Sequence, residues 1–504
     1  MQIGAISHAR GHLKPVDFSV SVTTLATPLD TGTTPARRKF TIIPRLDENP
    51  KLVAQAQTAA GKIAVIAMAV CLLGWRRPRP IVFLVAVALV SFLPAYRRMV
   101  IAAASLYWIL TSGLLNQDLI GQVAARAGMH VPHPAVWILS GLVCVSLVFG
   151  FGGLWIRKQG GGIIGRRPVL CLGILFCLAI GIASTSAVPA GVRTASWALV
   201  APLSGFFWIL AYALRDCQRK SVGAHGIGSM LATLWTGTSS PTPMLKGPSH
   251  ALKVEAVDAR EFAVAQLKGV KLLTWTMVLV VISVAIQFVA LKADIPTLEE
   301  AIDRNVTGSI PVWLCWESLT GSFILLVIQI TIYGHTIIGG LRLLGFKVLR
   351  NTYAPFRART IAEFWNRFYF YFKELLVDHF YYPVYLRYFK RSPRLRAVFA
   401  TFAAACFGNA FYHFGRDVSY VAQLGLWRAL TGFQVYLFYA FLLATGISIS
   451  QLRGKRRQAS WFRTEVLSRV TIVLFFCLVH IFNDERRTVS LGAHFAFLFR
   501  LFGL

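Results

Sequence analysis

A chain of 504 residues that is 56 % hydrophobic and only 14 % charged is not an ordinary soluble protein, which carries about a quarter charged residues. Its mean hydropathy is +0.59, and several apolar runs approach the ~20 residues that cross a hydrocarbon core. Lys and Arg number 52 against 21 Asp and Glu, a formal net charge of +31. Such an imbalance in a soluble chain suggests nucleic acid. Here the cations sit at the ends of apolar runs, which excludes nucleic acid in favour of membrane topology and contact with anionic lipid headgroups.

In chain order, residues 1–55 read as a flexible polar tail with Thr31-Gly-Thr-Thr-Pro35 and the basic triplet Arg37-Arg38-Lys39. No apolar core follows a short basic start, so a cleavable secretory signal is not expected. A first transmembrane block, 56–215, holds the candidates Ile63–Trp75, Ile81–Ala95, Val100–Leu115, Val136–Ile156, Pro168–Val188 and Thr194–Leu214. Clusters such as Arg76-Arg77-Pro78-Arg79 and Arg97-Arg98 flank both ends of one segment, so this third is not oriented by charge. A polar connection, 216–271, follows, and its second half (Ala251–Leu267) has the pattern of an amphipathic surface helix.

The second transmembrane block, 272–504, contains Leu272–Leu291, Val312–Tyr333, Val398–Tyr412, Leu430–Ile449 and Val466–Phe482. Long apolar runs without strand alternation are helices, because lipid leaves no other way to satisfy the backbone. The fold class expected is an all-α polytopic transmembrane protein of about ten to twelve segments. The eight cysteines lie mostly in apolar runs, with neither CxxC nor Cys/His spacing, so no disulfide framework and no metal site is expected.

One stretch departs from membrane composition. From Arg342 to Arg396 cations crowd around an aromatic helix-like run, Phe364 to Pro383. Amphipathic rings and snorkelling cations belong at headgroup depth, which accounts for most of this composition. It does not account for Glu363, Asn366, Arg367, Asp378 and His379. Downstream, an apolar segment ends in Asn409-Ala-Phe-Tyr-His413-Phe-Gly-Arg-Asp417. Ionisable groups at membrane depth are costly and tend to be functional. Asn409 lies four residues before His413, on the same helical face, where it can orient the imidazole.

These motifs resemble the membrane-bound O-acyltransferase superfamily, in particular its bacterial alginate O-acetyltransferase-like branch. Asn351-Thr-Tyr-Ala-Pro355-Phe, then Glu363-Phe-Trp365-Asn366-Arg367-Phe-Tyr369, then Asp378-His379-Phe-Tyr-Tyr-Pro383 match three successive family segments. The family's near-universal histidine falls on His413. Two motifs diverge: Tyr369 stands where bacterial members have His, and Trp-His-Gly has become Tyr412-His413-Phe414-Gly415.

The resemblance implies acyl transfer from a thioester to a hydroxyl. His413 would be the general base, Tyr369 or a donor near Asn366 would stabilise the oxyanion, and Asn409 would support the base. Glu363, Trp365, Asn366, Arg367, Asp378 and His379 would line the substrate site. The donor would be acyl-CoA or an acyl-carrier protein, with no tightly bound cofactor. The acceptor would be a cell-envelope polysaccharide, a lipid or a small molecule, served by an accessory envelope protein at the bacterial inner membrane. Two other expectations are a transporter or flippase using Glu317, with Gln329 and His335 on the same run, and an inactive scaffold of this family, since Tyr369 replaces a catalytic-position residue.

Overall fold

In a computed structural model of the chain, residues 43–74, 81–111, 163–217, 242–308, 310–452, 460–486 and 488–504 are described. The chain divides into two units, 1–44 and 45–504, and the architecture below is that of the second. Every regular element among the described residues is a helix, apart from one isolated bridge between Glu255 and Phe346.

Among the described residues four helices are long and apolar enough to cross a membrane: Ala259–Lys292, Val312–Leu343, the continuous run Pro393–Arg416, and Gln434–Leu452. Counting two bent pairs raises the number to six. One pair, Pro50–Gln57 with Ala59–Leu73, bends by 97°. The other bends by 55° within the Ala190–Cys217 helix, where Pro202 supplies no amide hydrogen to the ladder. Ile81–Phe92 and Pro168–Ser184 are shorter apolar helices. The expected run Val136–Ile156 lies outside the described residues, as does most of the 1–55 tail. The last residues of that tail are already helical, from Pro50 onward.

The amphipathic pattern over Ala251–Leu267 is not one surface helix. It spans Pro248–Val254 and the first turns of Ala259–Lys292. The break has a clear cause. Arg97 and Arg98 both pair with Glu255, at 2.6 and 3.0 Å, and the Ala256 amide donates to the Gly345 carbonyl. Held extended there, the chain restarts at Asp258, whose carboxylate caps the Glu261 amide at 2.7 Å.

Lipid tails are as apolar as leucine, so membrane helices associate through close packing rather than through exclusion of water. Ala259–Lys292 packs along Val312–Leu343 in this way: a Cβ on Gly269 would stand 2.9 Å from the Gly339 carbonyl oxygen. Among the described residues three large buried clusters result, beside a small one of Ala410, Phe433 and Tyr436. One joins the 168–217 helices to Phe372, Phe380 and Tyr412. A second joins the N-terminal helices to the 259–292 and 312–343 pair. A third joins 298–327 to the 435–501 helices. Tyr369 packs against all three.

The C-terminal helix Leu491–Arg500 is pinned by a buried polar knot. His494 places Nδ1 2.8 Å from the Ser490 carbonyl and Nε2 3.1 Å from Asp484. Arg486 grips the same carboxylate at 2.9 Å and reaches Asp303 at 2.8 Å. Burial raises the Asp484 pKa, but hydrogen bonds from His494 and Arg486 overcome it and bring the carboxyl to about 2.

Candidate functional site

The aromatic run from Phe364 is broken in two at Tyr369, between Ile361–Phe368 and Phe370–Leu376. Thr360 caps the first helix by accepting the Glu363 amide at 3.0 Å. Loop 351–353 explains the break. The Asn351 carbonyl takes the Phe370 amide at 2.9 Å and the Arg367 carbonyl takes the Tyr353 amide at 2.7 Å. Thr352 donates its hydroxyl to the Phe368 carbonyl at 2.7 Å. The backbone groups that would carry the helix through Tyr369 are therefore bound sideways to this loop.

Past Leu376 the chain makes a π-helical turn, Val377–Tyr381, which carries Asp378 and His379. A second π segment, Phe402–Gly408, leads directly into Asn409–Arg416, which carries His413. Such turns are rare, and they concentrate at functional sites. The two π segments touch: a Cβ on Gly408 would stand 2.6 Å from the Phe380 ring, so only glycine fits.

Around the second segment the predicted residues converge on Phe372. Its ring centroid lies 5.8 Å from His413, 5.5 Å from Tyr369 and 6.2 Å from Trp365. The His413 imidazole is also flanked by Tyr436 at 4.3 Å and Tyr412 at 5.1 Å. Thr242 bonds to the Tyr412 hydroxyl at 2.7 Å and accepts a longer contact of 3.5 Å from Tyr369. Asn409, expected to orient His413 directly, accepts the Tyr436 hydroxyl at 3.2 Å. It therefore fixes the ring that lies on the imidazole.

Around the first π turn the chemistry is ionic. Lys246 Nζ reaches Glu374 at 2.8 Å and Asp378 at 3.1 Å. Tyr212 donates to Asp378 at 2.9 Å, Arg215 lies 3.8 Å away, and Lys373 pairs with Glu374. Lys246 sits in the left-handed region at φ 54, and Gly247 follows because any Cβ there would strike Asp216 at 2.4 Å. Burial penalises each charge, yet mutual attraction wins: the Asp378 and Glu374 pKa values are lowered and that of Lys246 is raised.

His379 lies against Tyr212 at 4.5 Å and Trp208 at 6.0 Å. Its Nε2 is shielded and has no hydrogen-bond partner among the described residues. Desolvation pushes this imidazole down to about 3 against the opposing charge of Asp378, so it stays neutral. Trp208 stacks on Tyr412 at 5.9 Å, so a continuous aromatic bridge joins the two π regions.

The remaining predicted residues do not enter either group. Glu363 and Arg367 bind each other at 2.8 Å, and Glu363 also accepts the Arg359 amide at 2.8 Å. They brace the start of their helix. Asn366 is half-buried on that helix. Glu317 and Gln329 are exposed, whereas His335 is buried and lies 3.3 Å from the Thr352 carbonyl. At 1.5 Å per residue, Glu317 and His335 stand about 27 Å apart along one helix.

Tyr212, Arg215, Thr242, Lys246, Glu374 and Tyr436 were not singled out by sequence. One signal was available: Glu374 and Asp378 are four residues apart, so they share a helical face in an apolar run and call for a cation. The chain matches no known protein-family model, and no curated protein matches it.

Proposed function

We propose that the protein is a membrane-bound O-acyltransferase with His413 as its general base. The observation that carries this reading is the setting of His413: an imidazole at the end of a membrane helix, entered through a π segment and walled by Phe372, Tyr412 and Tyr436. The hydroxyl of Tyr412, the residue next to His413, is linked through Thr242 to that of Tyr369.

A thioester is already activated for acyl transfer, so positioning and the removal of one proton are the main demands. His413 takes the proton of an acceptor hydroxyl as its oxygen attacks the thioester carbonyl carbon. The tetrahedral oxyanion accepts a hydrogen bond from Tyr369 or a neighbouring hydroxyl. The C–S bond then breaks, and the proton returns from His413 to the departing thiolate. Imidazole chemistry suits this task, since it is the side chain that exchanges a proton most readily near neutral pH. The donor is acyl-CoA or an acyl-carrier protein. The acceptor class is an envelope polysaccharide, a lipid or a small-molecule alcohol, and the location is a bacterial inner membrane.

The test is acyl transfer from labelled acyl-CoA in membranes carrying His413→Ala at unchanged protein level. A loss of roughly 10²–10⁴-fold is expected for removal of a general base. Undiminished transfer would remove His413 from the mechanism. Tyr369→Phe keeps the ring and deletes the donor, and its loss is expected to be smaller, because Tyr412 and Thr242 offer neighbouring hydroxyls.

A further inference from the structure

The two ends of the membrane helices are tied together by different contacts and carry different charges. At one end, Lys347 pairs with Glu261 at 2.7 Å, Arg359 pairs with Glu465, and Thr401 donates to Gln451 at 2.9 Å. A Cβ on Gly446 would meet both Phe475 and Ile361, which joins these contacts into one end. At the opposite end, Arg486 pairs with Asp303, Arg416 pairs with Glu485, and Arg500 donates to the Ile310 carbonyl.

The connections at the first end are strongly basic. Segment 344–360 carries Lys347, Arg350, Arg357 and Arg359 with no acid. Segment 386–396 carries Arg387, Lys390, Arg391, Arg394 and Arg396 with no acid. The equivalent connections at the second end are not. Segment 293–311 has Arg304 among Asp294, Glu299, Glu300 and Asp303, and segment 417–433 has Arg428 and Asp417.

The 386–396 hairpin is also built to hold its tip outward. Phe389 turns the chain in the left-handed region at φ 51. The Phe389 and Tyr388 rings lean on Phe399, at 5.0 and 6.0 Å. The Arg396 guanidinium sits 4.1 Å over the Tyr385 ring and donates to its hydroxyl at 2.9 Å. Every residue from Leu386 to Leu395 is exposed. Among the described residues no carboxylate pairs with Arg387, Lys390, Arg391 or Arg394. Leu386, Tyr388, Phe389 and Leu395 are interleaved with these cations, and the span begins at Pro393.

Exposed apolar side chains and unpaired cations at the start of a span meet the needs of the headgroup layer. There the rings and leucines enter the acyl boundary and the cations face phosphate. Short loops rich in Lys and Arg face the cytoplasm, where the leaflet is anionic. We propose that the 386–396 hairpin binds anionic phospholipid headgroups of the cytoplasmic leaflet, which fixes the 344–360 end inside the cell and the 293–311 end outside. A soluble acidic partner would use the cations but leave Leu386 and Phe389 in water.

The experiment extracts the full-length protein from mixed phosphatidylglycerol and phosphatidylcholine vesicles and measures the lipid it retains. The native chain is expected to enrich phosphatidylglycerol, and the combined variant R387Q/K390Q/R391Q/R394Q to lose about tenfold of that preference. Equal enrichment by the variant overturns the proposal. So does an acidic soluble protein whose binding depends on the four cations while lipid retention does not.

Orientation is read separately, against the unsubstituted chain, with a membrane-impermeant maleimide. Ser392→Cys is expected to label only in opened cells, and Thr307→Cys in intact ones. The reverse pattern overturns the assignment.

Discussion

Two of the three π segments among the described residues adjoin histidines in different surroundings: Val377–Tyr381 contains His379, and Phe402–Gly408 leads into the helix that carries His413. His379 packs on Tyr212 and Trp208 next to Asp378, whose carboxylate is held in a knot of cations, whereas His413 is walled by Phe372, Tyr412 and Tyr436. In the first, the charged groups beside the imidazole are already bound to each other. In the second, the rings packed on the imidazole, Phe372, Tyr412 and Tyr436, carry no formal charge. On the proposed reading, ionisable groups in such a fold divide between holding the helices and acting on a substrate, and partner chemistry separates the two better than residue type.

Four measurements break or sharpen this contrast. Lys246→Ala removes the counter-ion that Asp378 and Glu374 share, and is expected to cost about 3–5 kcal/mol. Thermal unfolding in detergent checks it, and a cost no larger than that of Tyr436→Phe would erase the distinction. Gly408→Ala forces a methyl into the Phe380 ring and is expected to cost about 1–3 kcal/mol, with acyl transfer impaired as His413 shifts.

The third is a pH dependence. The folded pKa of His379, about 3, lies below its unfolded value of about 6.5. The unfolded chain therefore binds the extra proton between these values, and stability falls as pH drops below 6.5. The slope reaches about 1.4 kcal/mol per pH unit for one proton. His379→Asn is expected to flatten it. Asp484 acts in a lower window, its contribution being lost as pH falls from about 4 toward its folded value of about 2. The smallest effect is that of Tyr436→Phe, which removes one hydrogen bond to Asn409 and should cost about 1 kcal/mol. Its mark on the pH profile of transfer shows whether the ring position of His413 depends on that bond.

The helical membrane character was legible from hydropathy, because lipid allows an apolar run of this length few other forms. The N-terminal topology was not, since cations flank both ends of its short segments. At the site, Trp365, Tyr369, Asn409 and His413 were legible as polar or motif positions interrupting an apolar pattern; Trp365, Tyr369 and His413 lie around Phe372, and Asn409 meets them through Tyr436. Their partners were hidden by distance along the chain. Lys246 is 128 residues from Glu374, and Thr242 is 170 from Tyr412. Periodicity tells which face a residue occupies but not which remote segment meets it. The break at Tyr369 was hidden for the same reason: it depends on loop 351–353 binding the backbone, not on a helix-breaking residue.

The π segment Phe402–Gly408 also sets the phase of everything after it. A turn closed by i→i+5 bonds takes up one residue more than an α turn, while each residue of an α-helix advances the side chains by about 100°. Deleting one alanine within 403–405 can be absorbed by tightening that turn, which leaves His413 on its present azimuth. The same deletion at Ala410, past the π segment, has no slack to draw on and swings His413 about a quarter-turn off Phe372 and Tyr436. The helix tolerates a length change on one side of Gly408 and not on the other.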